Sequence, residues 1–184
     1  MSGRSYMLAA RMPMSREAFE TWLDEPAPGP EAIGGATPDG WDPPAAPATA
    51  RQRLTARAAD GFTLARHREG MLELYLYDYH EDWDATQTEL LLLAAAGRRA
   101  EAESAILFWG GSLYPDLPLG GDEPIAGLLA GPDGARFTDR YRLSAVLDHL
   151  RPVEAAFLAA AGTDGEDATW NPAGVLDPAL EPSG

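Results

Sequence analysis

An α+β fold, with a mainly antiparallel sheet of about six strands and three or four helices packed on it, is predicted by three features of this chain. Met71–Tyr79 alternates Leu72, Leu74 and Leu76 with Glu73, Tyr75, Tyr77 and Tyr79, the two-residue period of a strand with two different faces. Two hairpin signals, around Glu69-Gly70 and around Gly131-Pro132-Asp133-Gly134, join segments that neighbour one another in the chain. Leu90–Ala96 is apolar nearly all round a helix, so it needs the sheet on one side and another element on the other. The length of 184 residues suits one domain with a sizeable core.

Taken in order, Ser5–Met12 reads as the first strand, with Tyr6, Leu8 and Ala10 on one face and Pro13 as its stop. Ser15 is expected to cap a short helix running to about Asp24, because Glu17 suits the dipole of its first turn and Phe19, Trp22 and Leu23 recur at helical spacing. Residues 24–47 then change character. Seven prolines, four glycines, five acids and no base leave too little apolar surface for an element, so a long acidic loop is expected, with Trp41 as the plug that anchors it. Periodicity does not decide whether Ala48–Asp60 is helix or strand. Phe62–Arg68 and Met71–Tyr79 form the first hairpin, with Gly70 supplying the positive φ of a tight turn.

Asp84 is expected to cap the leucine helix while Gln87 reaches back to it, and Gly97 with Arg98 and Arg99 marks its end unless the Ala-Glu-Ala-Glu run extends it by a turn or more. Ala105–Trp109 is a short apolar strand, and Ile125–Ala130 with Ala135–Arg142 makes the second hairpin. Ser144 opens a helix through Leu150, and Pro152 either kinks it or starts a second helix to Ala161. Residues 1–161 thus read as a single domain. Residues 162–184, with five acids, three prolines and no base, read as a flexible acidic tail with an anchor at Trp170.

Charge narrows the function classes. Acids outnumber bases 29 to 14, giving a net charge of -15, which repels nucleic acid and anionic membranes and makes a basic protein the natural partner. Without cysteine there is no disulfide framework, thiolate metal site or cysteine nucleophile. No apolar run is long enough for a signal peptide or a membrane span, so a cytoplasmic location is expected. The one basic region, Arg51–Arg68, carries five arginines and is expected to pair internally with the surrounding acids.

The chemically unusual place is the corner where Asp78, Glu81, Asp82 and Asp84 crowd around His80 and Trp83. Clustered carboxylates beside an imidazole suit a divalent cation or acid-base chemistry, and a metal-dependent hydrolase is one reading. Against it, the spacing is not that of an EF-hand, His67 and His149 are isolated, and no nucleophile elbow, P-loop or G-x-G-x-x-G is present. A binding surface is the better reading. Asp78, Tyr79, Glu81, Asp82, Trp83 and Asp84, with Tyr114 and Asp116 from a segment expected nearby, combine aromatic area with charge for a basic partner. A third reading makes the face of Tyr75, Tyr77 and Tyr79 the oligomer interface of a structural or accessory subunit; the alternative is that a helix covers it as core.

With this profile and its acidic run Asp78–Asp84, the chain resembles the small, acidic, cysteine-free immunity proteins that bacteria use against cognate toxins. The resemblance implies a non-enzymatic inhibitor, without cofactor, metal or catalytic residues, that occludes a basic site on its toxin. It leaves the oligomeric state open.

Overall fold

The computed structural model describes residues 5–45, 48–60, 62–78, 83–111, 126–161 and 175–181. Eight strands and four helices follow one another as β1 (Ser5–Pro13), α1 (Arg16–Leu23), β2 (Ile33–Gly35), α2 (Ala50–Asp60), β3 (Phe62–Arg68), β4 (Met71–Asp78), α3 (Trp83–Arg99), β5 (Ser104–Gly111), β6 (Ala126–Gly131), β7 (Gly134–Phe137), α4 (Leu143–Ala161) and β8 (Val175–Leu176). The class is α+β. The sheet is larger than the expected six strands and it is mixed, in the order β2-β7-β6-β5-β1-β4-β3-β8. Its six inner strands are antiparallel neighbours; the added edge strands β2 and β8 pair in parallel with β7 and β3.

Both predicted hairpins form, each with a two-residue turn. Glu69 and Gly70 take φ of 53° and 75°, the double left-handed geometry that matches strand twist in a tight hairpin. Pro132 and Asp133 turn between the paired Gly131 and Gly134, but β7 ends at Phe137, short of the predicted Arg142. Tyr141 therefore shares no strand face with Phe137; its ring covers Gly127 instead, where an added methyl would collide with it.

The sheet has two differently covered faces. On one lie Leu8, Ala10, Met12, Leu72, Leu74, Leu76, Ile106, Phe108 and Leu128, under α1, α2 and α3. On the other lie Ala9, Leu64, Tyr75 and Leu107, under α4, which contributes Val146, Leu150, Val153 and Phe157. Helix α4 runs through Pro152 as one element, so Pro152 does not start a second helix. Tyr75 stacks on Phe157 with ring centroids 4.1 Å apart, and its hydroxyl meets Met7 Sδ. At Tyr75 the tyrosine face is core.

Helix α3 is enclosed on every side from Thr86 to Gly97, as its apolar composition demanded. The helix ends at Arg99, within the stop expected at Gly97–Arg99, and a methyl added at Gly97 would sit 2.7 Å from Ala130 Cβ, so glycine lets α3 approach β6 closely. On its outer side the helix is covered by α1 and by the segment expected to be a plain loop. That segment contains a 3-10 turn (Pro30–Ala32) and β2, and Trp41 packs edge-on against Phe137 at 4.9 Å, the plug predicted for it.

The end of the chain read as a flexible tail is tied down where it is described. Val175 and Leu176 pair with Leu64 and Ala65, Asp177 caps a 3-10 turn (Pro178–Leu180), and Leu180 is buried in the main core. Trp170 lies outside the described residues.

Candidate functional site

Of the predicted partner-binding residues, Tyr79, Glu81, Asp82, Tyr114 and Asp116 lie outside the described residues. The backbone puts Asp78 at the end of β4, and Trp83 and Asp84 in the first turn of α3; their side chains are likewise outside the description. Asp84 is inside the helix and so is not its cap. The side-chain amide of Gln87 meets the cover: its Oε1 accepts from Asp42 N at 2.6 Å and its Nε2 donates to Gly40 O at 3.4 Å. Fully buried itself, this amide clamps the acidic loop onto the first turns of α3. The acidic loop at Gly40–Asp42 is thereby held beside the first turns of α3.

Two residues further on, Glu89 is 1% exposed and receives Arg53 and Arg57 from successive turns of α2. Arg53 Nε and Nη2 at 3.2 and 2.9 Å, and Arg57 Nε at 3.0 Å, all donate to Oε1. Glu89 Oε2 is buried and has no donor among the described residues. Such a cluster holds α2 against α3 and, because removing one partner strands a buried charge, ties the geometry of both helices to it. Sequence reading passed over Glu89, although an acid opening a four-leucine run in a helix with no exposed face is a signal that arginine must come to meet it.

The cover and α3 enclose a cleft of about 260 Å³ between Ala27–Pro30 on one limb and Pro44–Ala45 on the other, floored by Thr88 and Leu91. Glu31 folds back on Gly29, where an added methyl would collide with both of its carboxylate oxygens.

Arginine is largely spoken for inside the molecule. All five bases of the predicted basic region pair with acids: Arg51 with Asp24, Arg53 and Arg57 with Glu89, Arg66 with Glu73, and Arg68 with Glu69. Arg16, Arg99, Arg136 and Arg151 do the same elsewhere. By contrast no described arginine pairs with Glu31, Asp39 or Asp42 around the cleft. The Arg51 guanidinium donates to Asp24 and holds that carboxyl below its ordinary range. Among the described residues no group of three or more His, Asp or Glu side chains is arranged to hold a metal, and no helix is long and apolar enough to cross a membrane. Comparison of the chain with protein-family models, with curated proteins and with solved structures finds no match.

Proposed function

We propose that this is a non-enzymatic binding protein, an inhibitor of the immunity type, that occludes a basic site on a protein partner with the acidic surface around the start of α3. One observation carries the reading: nine described arginines are held in internal ion pairs while no described arginine pairs with Glu31, Asp39 or Asp42 of the loop beside α3. Such a surface attracts a basic partner over distances comparable to the Debye length and keeps others away. Helix α3 and its cover supply a fixed platform, so the rim loses little freedom on binding. The corner Asp78–Asp84 belongs to the same surface in this reading.

The test is capture from the native host followed by a function assay. A basic protein should be retained at low salt, should arrest growth when expressed alone, and should be harmless when co-expressed with this chain. The pairs Asp39→Arg with Asp42→Arg, and Asp82→Arg with Asp84→Arg, should each weaken binding at least ~10-fold and flatten its salt dependence. Unchanged affinity and salt dependence in both would sink the reading.

A further inference from the structure

The face of the sheet under α4 holds an arginine with nothing to meet it. Ala9 and Leu107 belong to that face, so Arg11 and Ala105, one strand period further along, share it. Cross-strand partners extend the row on both sides, to Glu73 and Arg66 on one and to Leu129 and Arg136 on the other. Glu73, directly opposite Arg11, is held by Arg66, whose Nε at 3.0 Å and Nη2 at 2.9 Å meet the same oxygen. Arg11 makes no side-chain hydrogen bond or ion pair with any described residue, and its Nε is buried. Burying that N–H costs the desolvation of a charged donor and gains no bond in exchange, so an acceptor is missing from the picture.

We propose that Arg11 anchors a binding site for an organic carboxylate, on the strip of sheet that Ala105 and Leu129 form beside it. The ladder between β1 and β5 ends at Ala9 and Leu107, and the Arg11 carbonyl accepts from His149 Nε2 at 2.8 Å, so α4 fixes the strand at the residue that bears the guanidinium. Helix α4 packs chiefly over β1, β4 and β3. Further out along the row Ala105 and Leu129 stay half-buried and Arg136 is exposed. A carboxylate matches the planar guanidinium, and an apolar body attached to it would lie over Ala105 and Leu129. Charge selects the class as well. At a net charge of -15 the field of the whole molecule opposes a dianion such as phosphate more than a monoanion, while the one desolvated cation attracts at short range. This face is opposite the one that α3 and its cover occupy, so the site does not depend on the binding reading above. A free aliphatic acid and an acidic side chain of a polypeptide share the required chemistry.

The experiment is a proton–nitrogen NMR titration of the full chain, read at the Arg11 Nε–H and at the Ala105 and Leu129 amides. The probes are sodium hexanoate, its neutral counterpart hexanamide, inorganic phosphate and N-acetyl-glutamate methylamide. Hexanoate should shift these signals saturably in the millimolar range, with hexanamide and phosphate each about tenfold weaker. Arg11→Met, which keeps the apolar stem without the charge, should abolish saturable shifts at both amides. Leu129→Glu, which brings a carboxylate onto the same row from a half-buried position, should abolish them with Arg11 still in place. The glutamate probe saturating at lower concentration than hexanoate would support the proposal with an acidic polypeptide side chain as ligand; the reverse order would support it with a free organic acid. Shifts that do not saturate, as for an arginine that meets only water, would overturn the proposal. So would hexanamide or phosphate binding as tightly as hexanoate, or either variant binding hexanoate like the wild type.

Discussion

Two buried carboxylates hold this molecule together in opposite ways. Asp177, 2% exposed, spends both oxygens: Oδ1 accepts from Arg16 Nη2 at 2.6 Å and Ala179 N at 3.0 Å, and Oδ2 accepts from Arg16 Nη1 at 2.7 Å and His67 N at 2.9 Å. Glu89 concentrates two arginines on one oxygen and leaves the other bare. Burial alone would raise the Asp177 carboxyl; the Arg16 guanidinium and the backbone donors outweigh it and hold it below its ordinary range. A carboxylate whose acceptors are all used is a latch for a short segment, here the β8 strand that shields the edge of β3. One that gathers excess cations instead joins two whole helices, at the expense of an unmet oxygen.

This contrast can be broken experimentally, starting where the effect is largest. Glu89→Ala should destabilise the whole fold by about 3 kcal/mol in urea unfolding, because two partly buried arginines lose their counter-charge. Glu89→Gln, which keeps an acceptor for them, should cost roughly half as much. Asp177→Ala should cost about 2 kcal/mol, and hydrogen exchange should show the loss concentrated at Val175, Leu176 and Leu180 rather than through α3. Equal protection loss at both places would erase the distinction.

Acid sharpens it further. Since the folded-state pKa of Asp177 is depressed from 3.8, its contribution is fully present above that value and is lost as pH falls through the lower folded value. The stability gap between wild type and Asp177→Asn should therefore be constant at neutral pH and close progressively below about pH 4. A gap that widened in acid would contradict this. Gln87→Ala should cost about 1 kcal/mol and speed exchange at the Asp42 amide, reporting release of the cover. Asp24→Asn, at a fully exposed ion pair, should leave the melting temperature unchanged within error.

What was legible in the sequence was what local rules decide. Alternation located β1, β3 and β4, the Glu69-Gly70 and Gly131–Gly134 turns gave both hairpins, and Ser15 caps α1 through Ala18 N as predicted. The edge strands were not legible. Ile33–Gly35 and Val175–Leu176 carry no periodicity, and they become strands because β7 and β3, about a hundred residues away, present open edges to them. The bond from Asp42 N to Gln87 was not legible for the same reason: a local capping rule says nothing of a loop 45 residues earlier. The acidic corner was legible as composition only, since charge density in a sequence does not say which carboxylates find arginines. For the five arginines within Arg51–Arg68 the expected internal pairing was met, but the sequence did not say which acid each would find.

The position of β1 has a consequence for how the chain is made. It is a central strand, hydrogen-bonded to β4 on one side and β5 on the other, yet it precedes both in the chain, and its second partner is complete only at Gly111. At translation rates of 5–20 residues per second the interval from the end of β1 to that point is roughly 5–20 s. Until the β3–β4 hairpin is made at Asp78, Leu8, Ala10 and Met12 have no sheet to enter, and the leucine run of α3 is made before β5, the second neighbour of β1. Productive synthesis holds the first strand in reserve, first for β4 and then for β5, so the centre of the sheet is closed from both sides by segments made after it.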